Sequence, residues 1–511
     1  MKQESETTSG AWRQPGRDLR LDPLWQESDL GAPIPDSPDA CSMALPLWRH
    51  VVGYEERDPT TMGKLRCGYP RFYVHPVVAE FMSEARRQLA SPGEIAYVFP
   101  SRATAALCSD YVRDGTGLEL RLDRFGADGL HAVIGPGEAE AACREFWQHT
   151  GLIVSSRRAR SALRGKDGGK DSGAEVDAIL RGRIATWYGA APDDVYLYPS
   201  GMAAIYAATD LAARLNPGAR RAQLEFPYLD TMKVHERFST GATLYADGDA
   251  ADLVDRLRRD GPVGLVTTEI PSNPLLRTVS LKDVSPLLRE QGAVLIVDDT
   301  IATPVNVDVT PWADIVTTSL TKFFCGAGDV IAGAAVLNPR SPHYAALSRL
   351  FRTQHENLLW HEDAEALELR SRDFAARVRQ INGTAEILAE YLRSHPAIGH
   401  VWYPKFDRGG GYEPIRRPGG GYGGLISMLT EDPERRAAPF YDALRVNKGP
   451  SLGTDFTLAC PYTMIAHYRE LDWAENFGVS RWLIRISVGL EDADDLCARF
   501  ERALSATQIA G

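Results

Sequence analysis

The sequence contains no apolar run near the roughly 18–20 residues that a membrane-spanning helix needs, so no membrane partner is expected. Its opening stretch, MKQESETTSGAWRQPGRDLR, has none of the continuous apolar core of a secretory signal. The seven cysteines (Cys41, Cys67, Cys108, Cys143, Cys325, Cys460 and Cys497) are widely spaced, odd in number and form no CxxC pair. That argues against a disulfide framework and suits the reduced thiols of a cytoplasmic protein. The eleven histidines show neither HxxxH nor HExxH spacing, so no metal site is expected. Basic charge is in deficit, with 57 Lys and Arg against 68 Asp and Glu, a net charge of -11. Its basic runs are short and scattered, which excludes an electrostatic nucleic-acid binder.

What is present suits a multidomain enzyme. The 511 residues exceed one small domain, and 44% hydrophobic with 24% charged residues supports a sizeable core. Residues 1–40, rich in Ser, Pro, Gly and charge, read as a flexible tail in which Leu24 and Trp25 could still dock. A globular N-terminal extension is expected over 41–175, ending near the exposed loop Gly165–Gly173. Aromatic clusters mark it at Gly68–Phe72 and Phe146–Trp147.

A large domain is expected over 176–390. Ser200 would cap a helix from Gly201 to about Leu215, stopped by Asn216-Pro217-Gly218. Apolar strands are predicted at Val263–Val266, Val294–Val297, Ile315–Thr318 and Ala332–Leu337, with a helix at Leu281–Gln291. This alternation predicts an α/β fold, a mostly parallel sheet with helices on both faces, whose ligand lies at the carboxyl ends of the strands. Ala364–Leu392 reads as helical, and 391–511 as a smaller C-terminal α+β domain.

Two of these strand ends carry chemistry. Lys322 follows Ile315–Thr318 in Ser319-Leu320-Thr321-Lys322, and Asp298 ends Ala293–Val297. Taken alone, each has an ordinary explanation: a solvated lysine and a turn or cap aspartate. Together they suit pyridoxal phosphate. An amine desolvated by Phe323 and Phe324 can form a Schiff base with an aldehyde, and a carboxylate can keep a pyridine nitrogen protonated. The hydroxyls of Ser319 and Thr321 and the helix start at Gly201-Met202 are candidate phosphate ligands. Tyr228 is placed to stack on a ring, and Asn273 is either a turn former or a partner of the cofactor's phenolic oxygen. Asp299, by strand alternation, should point away. Arg485 interrupts the apolar strand Leu483–Val488 and is either a snorkelling surface group or a clamp on a substrate carboxylate.

The segments SGMAAI (200–205), TEIPSNPLL (268–276), IVDDTIATP (296–304), SLTKFFCGAGDVIAG (319–333), GPSLG (449–453) and LIRISVGLED (483–492) stand in the order found in the Cys/Met-metabolism family of fold type I PLP enzymes. The chain resembles that family over most of 176–511. CGYPRFYVHP (67–76), FWQHTG (146–151), SSRRA (155–159) and FPYLDTMKV (226–234) are similar to the fungal-type cystathionine γ-synthases.

The resemblance implies a seven-stranded-type sheet. It implies Lys322 as Schiff-base lysine and proton shuttle, Tyr228 as ring-stacking and catalytic partner, and Asp298 at the pyridine nitrogen. Gly201, Met202, Ser319 and Thr321 would hold the phosphate, with Arg157 contributed from a neighbouring subunit. Arg485 and Ser451 would bind the substrate carboxylate. Shared sites of this kind imply a homodimer or homotetramer, with the N-terminal extension over 41–175 contributing to oligomer and active site. Three departures bear on the substrate: Ser155-Ser156-Arg157 replaces Tyr-Ser-Arg, Asp298-Asp299 replaces Asp-Asn, and Phe456 stands where many γ-acting relatives carry glutamate.

The expected activity is γ-replacement on a γ-activated amino acid, such as an O-activated homoserine, through a vinylglycine-type intermediate attacked by a nucleophilic co-substrate. The alternatives are a sulfonium substrate such as S-adenosylmethionine with a carbon nucleophile, or γ-elimination.

Overall fold

The computed structural model describes residues 17–126, 129–165, 173–246, 250–407 and 409–508. Three sheets follow one another along these residues. The first is antiparallel: β1 (Glu94–Phe99), β2 (Arg121–Arg124) and β3 (His131–Pro136), ordered β1-β3-β2.

The second sheet has seven strands: β4 (Val195–Tyr198), β5 (Arg220–Leu224), β6 (Thr243–Tyr245), β7 (Val263–Glu269), β8 (Val294–Asp298), β9 (Ile315–Thr318) and β10 (Gly333–Leu337). Their order is β4-β10-β9-β8-β7-β5-β6, and β10 alone runs antiparallel to its neighbours. All seven residues of β7 are buried, as a parallel strand covered by helices on both faces requires.

The third sheet holds β11 (Ile398–Trp402), β12 (Leu425–Thr430), β13 (Asn447–Lys448), β14 (Leu458–Pro461) and β15 (Ile484–Ser487), ordered β11-β12-β15-β14-β13. Helices Phe374–Ser394, Pro433–Ala443 and Ala493–Gln508 pack around it. The two-residue period of β15 puts Ile484 and Ile486 into that helical core and turns Arg485 to the opposite face.

The first two sheets share one core. Ile95, Phe99, Val133, Phe146 and Trp147 pack in the same cluster as Tyr196, Tyr198, Ala208, Leu265 and Ile315.

Two expectations change. Of the segment 1–40 expected as a tail, residues 1–16 lie outside the described residues, and from Arg17 onward the chain is packed. Leu19, Leu24, Ala32 and Ile34 bury against Phe456 and Leu458. The Asn447 amide donates to Leu19 O at 2.9 Å, and its Oδ1 accepts from Leu24 N at 2.9 Å. A few apolar anchors and one amide that satisfies the backbone are enough to dock a polar segment. The helix expected over Ala364–Leu392 is two helices, His361–Arg370 and Phe374–Ser394. Arg377 Nη2 donates to the carbonyl left at the first helix's end, Arg370 O, at 3.0 Å. Of the loop expected at Gly165–Gly173, residues 166–172 lie outside the described residues.

Candidate active site

The parallel strands β7, β8 and β9 end side by side, and the cavity lies at their carboxyl edge. Ser200 caps the helix Gly201–Ala213, its Oγ accepting from Ala203 N at 3.0 Å. The first-turn N–H groups of such a helix have no intrahelical partner, and Gly201 and Met202 line the cavity there. Glycine is needed at Gly201 because a Cβ would stand 2.7 Å from Ser319 Cβ. At Gly333 a Cβ would stand 2.4 Å from Ser200 O, so β10 packs directly on the helix entry.

Lys322 follows β9 on a loop pinned from beneath by Arg377. The Arg377 guanidinium donates to Phe323 O at 3.1 Å, Phe324 O at 3.0 Å and Cys325 O at 3.2 Å. Lys322 is buried, and its Nζ donates to Tyr69 Oη at 2.8 Å and Ser451 Oγ at 3.0 Å. Ser451 adopts φ +100°, a conformation that side chains resist and that clusters at functional sites. Its carbonyl accepts from Arg485 Nη2 at 2.9 Å. Arg485 also donates to Asn273 Oδ1 at 3.1 Å and lies over the Tyr462 ring at 4.8 Å.

Asp298, at the end of β8, is a register partner of Glu269 at the end of β7. Burial lifts the Asp298 carboxyl to about 6, against the pull of hydrogen bonds from Thr300. Burial and then the Asp298 charge push Glu269 well above the ordinary range. Asp299 points the other way and accepts from Tyr188 Oη at 3.0 Å. Burial and Asp298 raise it to about 8.

The residues expected to hold cofactor or substrate all line this one cavity except Arg157. Arg157 donates to Asp363 at 2.9 Å and lies within ion-pair distance of Asp39 and Asp329. Two others have local partners. The Thr321 hydroxyl is 3.2 Å from Ala332 O and accepts from Ala332 N at 3.0 Å. Asn273 Nδ2 donates to Tyr462 Oη at 3.3 Å. Phe456 and Ser155 stay outside the cavity: Phe456 packs under the N-terminal segment, and Ser155 caps the helix Ser156–Leu163.

The N-terminal extension was expected to contribute to the active site, but the sequence did not reveal which of its residues form the wall. Tyr54, Glu55, Tyr69, Pro70, Arg71 and Phe72 face the cavity. Arg71 forms a buried ion pair with Asp230 and donates to Tyr228 Oη at 3.0 Å. His149 Nδ1 lies 2.8 Å from the other Asp230 oxygen. Three segments quoted above for their likeness, around Arg71, His149 and Asp230, therefore meet behind Tyr228. Their co-occurrence was the available signal. Burial pushes the Tyr69 phenol up, but the Lys322 and Arg71 charges outweigh it and hold the group below its usual range.

This donor set fits pyridoxal phosphate: a buried amine for the aldehyde, a carboxylate for the ring nitrogen, and a helix N-terminus with the Ser319 hydroxyl for the phosphate. The wider comparison agrees. Residues 172–505 match the family model described as Cys/Met metabolism PLP-dependent enzyme, and residues 77–155 match the N-terminal domain of fungal trans-sulfuration enzymes. A cystathionine gamma-synthase of Neurospora crassa is 33% identical over 94% of this chain and 98% of its own. An L-2-amino-4-chloropent-4-enoate dechlorinase/desaturase of Streptantibioticus cattleyicolor is 33% identical over 92% of this chain and 97% of its own. The crystal structure of cystathionine gamma synthase from Xanthomonas oryzae in complex with cystathionine superposes with a TM-score of 0.59 at 26% identity, over 66% of this chain and 88% of that one. The chain belongs to the Cys/Met metabolism family of PLP-dependent enzymes.

Proposed function

We propose that the protein catalyses γ-replacement on an amino acid carrying a leaving group at Cγ, in the manner of a cystathionine γ-synthase. The observation that carries this reading is the bridge made by Ser451, whose Oγ meets Lys322 Nζ while its carbonyl meets Arg485. An amino acid held through its carboxylate by Arg485 is thereby presented with its α-carbon towards Lys322. The names of the relatives support the γ-carbon as the place of substitution.

Pyridoxal phosphate, when bound, supplies the aldehyde that takes up the substrate amine and the ring that accepts electrons. Asp298 would keep the ring nitrogen protonated, and Tyr228, held by Arg71, would be the aromatic partner of the ring. Gly201, Met202 and Ser319 take the phosphate. Thr321 buttresses that loop through Ala332, and Asn273 orients Arg485. Lys322 Nζ moves the proton at Cα, and the Tyr69 hydroxyl positions Nζ and shares its proton. Across the whole reaction the leaving group departs with its bonding pair, and the thiol sulfur forms the new bond at Cγ as its proton is released.

The same reading divides the chain into an N-terminal extension over 41–175, a cofactor domain over 176–390 and a small domain over 391–511. It also places Arg157 at a neighbouring subunit's phosphate within a homodimer or homotetramer, because Arg157 lies outside its own chain's cavity. Light scattering of the holoprotein tests the assembly.

The test of activity is to incubate holoprotein with an O-activated homoserine, with and without cysteine. Thioether formation that suppresses 2-oxobutanoate release supports replacement. Unchanged 2-oxobutanoate release without a thioether overturns it in favour of elimination. That second reading draws support from the dechlorinase/desaturase relative.

A further inference from the structure

Six charged side chains line the cavity: Glu55, Arg71, Glu269, Asp298, Lys322 and Arg485. Five of them have hydrogen-bond partners in the protein. Arg71 pairs with Asp230, Glu269 accepts from Tyr228 N at 2.6 Å, and Asp298 accepts from Thr300 N at 2.9 Å. Lys322 and Arg485 have the partners given above. Among the described residues Glu55 alone of the six has neither a hydrogen bond nor an ion pair.

Its position makes that unusual. Glu55 is the last residue of the helix Trp48–Glu55, where the helix dipole disfavours negative charge. It is half-buried, and burial raises its carboxyl to about 7 against the opposing charges of Arg57 and Arg469. Neither guanidinium closes on it, and Arg57 lies over the Tyr54 ring at 5.5 Å. The next residue, Glu56, accepts from Tyr468 Oη at 2.6 Å, so the neighbouring acid is satisfied and faces elsewhere. The lining of the same cavity includes the apolar side chains of Phe72, Leu229, Ile465 and Ala466. A carboxylate kept in such surroundings without a partner from its own chain is suited to a cation that arrives with a ligand.

Arg485, Lys322 and Asp298 already account for the carboxylate, the α-carbon and the cofactor on the reading above, and none of them comes from the N-terminal wall. We propose that Glu55 binds a cationic nitrogen on the second reactant, so that the enzyme selects nucleophiles bearing an ammonium group over uncharged ones of the same shape. This rests on the replacement reading, since a pure elimination has no second reactant to select.

The probes are two isosteric thiols, 2-(dimethylamino)ethanethiol and 3-methylbutane-1-thiol, neither of which has a primary amine to react with the cofactor. Their affinities for holoprotein are measured by calorimetry on wild type, Glu55→Gln and Glu55→Asp, with melting temperature and cofactor content as controls for folding. Wild type should bind the ammonium thiol about ten-fold more tightly than its neutral isostere, the scale of one charge-assisted hydrogen bond. Glu55→Gln should abolish the preference, and Glu55→Asp should retain part of it. No preference in wild type, or an equal loss for both thiols in Glu55→Gln, overturns the proposal. Wild-type turnover with each thiol is scored separately. A binding preference without any thioether product retains Glu55 as a cation-binding group but overturns both the replacement reading and the assignment of that cation to a second reactant.

Discussion

The two walls of the cavity are built on opposite principles. On the sheet side, Gly201, Asp298, Ser319 and Lys322 sit at strand ends and a helix start, each placed by its own short segment. On the N-terminal side, Tyr69 and Arg71 are placed by partners far along the chain, Lys322 and Asp230, and Glu55 ends a helix whose next residue, Glu56, is tied to Tyr468. The first wall is local, its chemistry fixed by the cofactor. The second is assembled by tertiary contact and is free to vary with what the enzyme must recognise.

The comparison breaks first at Lys322. Lys322→Ala should lower turnover by about 10³-fold or more while circular dichroism stays native, and substantial residual activity would sink the mechanism. Arg71→Met tests whether the second wall depends on its long-range pairs. Leaving Asp230 buried with only His149 beside it should cost about 3 kcal/mol in denaturant titrations, and a neutral result would mean the wall stands without the Arg71 pair. Asp298→Asn should lower kcat by about 100-fold, the equivalent of about two pKa units at the ring nitrogen, with little change in stability.

Tyr69→Phe is expected to lower kcat about ten-fold and to move the alkaline limb of kcat/KM to higher pH, because the lowered phenol pKa is removed. An unchanged pH profile would reduce Tyr69 to filler. The last prediction concerns apoprotein stability. Asp299 is raised from 3.8 when unfolded to about 8 when folded. The folded state therefore holds the extra proton in that window, and stability falls as pH rises through it. The melting-temperature advantage of Asp299→Asn over wild type should grow between about pH 4 and 8, and a flat difference would contradict the assignment.

Legibility in the sequence followed the same division. β7, β8 and β9 were readable because parallel strands buried on both faces are continuous apolar runs, β10 is antiparallel but equally buried, and the helix after Ser200 carried a cap and a stop. Lys322, Asp298 and Arg485 stood out as polar residues at the edges or within such runs. β1, β2 and β3 were not resolved as strands, and 17–40 was misread, because a docked polar segment with sparse anchors has the composition of a free one. Tyr69, Arg71 and Glu55 carry no periodic signal, and only folding reveals what they face. The substrate question was attached to Ser155, Phe456 and the N-terminal extension; neither side chain reaches the cavity, whereas the extension lines it.

The core shared by the first two sheets has a consequence for how this enzyme can change its chemistry. Phe99, Phe146 and Trp147 interlock with Tyr196, Tyr198 and Ile315, so the extension is not a detachable cap hinged over a finished catalyst. Close packing of that kind resists rigid displacement. New specificity in this lineage would then come by exchanging side chains along 54–72 rather than by transplanting the extension, and a chimaera joined near residue 175 would carry two halves of a severed core.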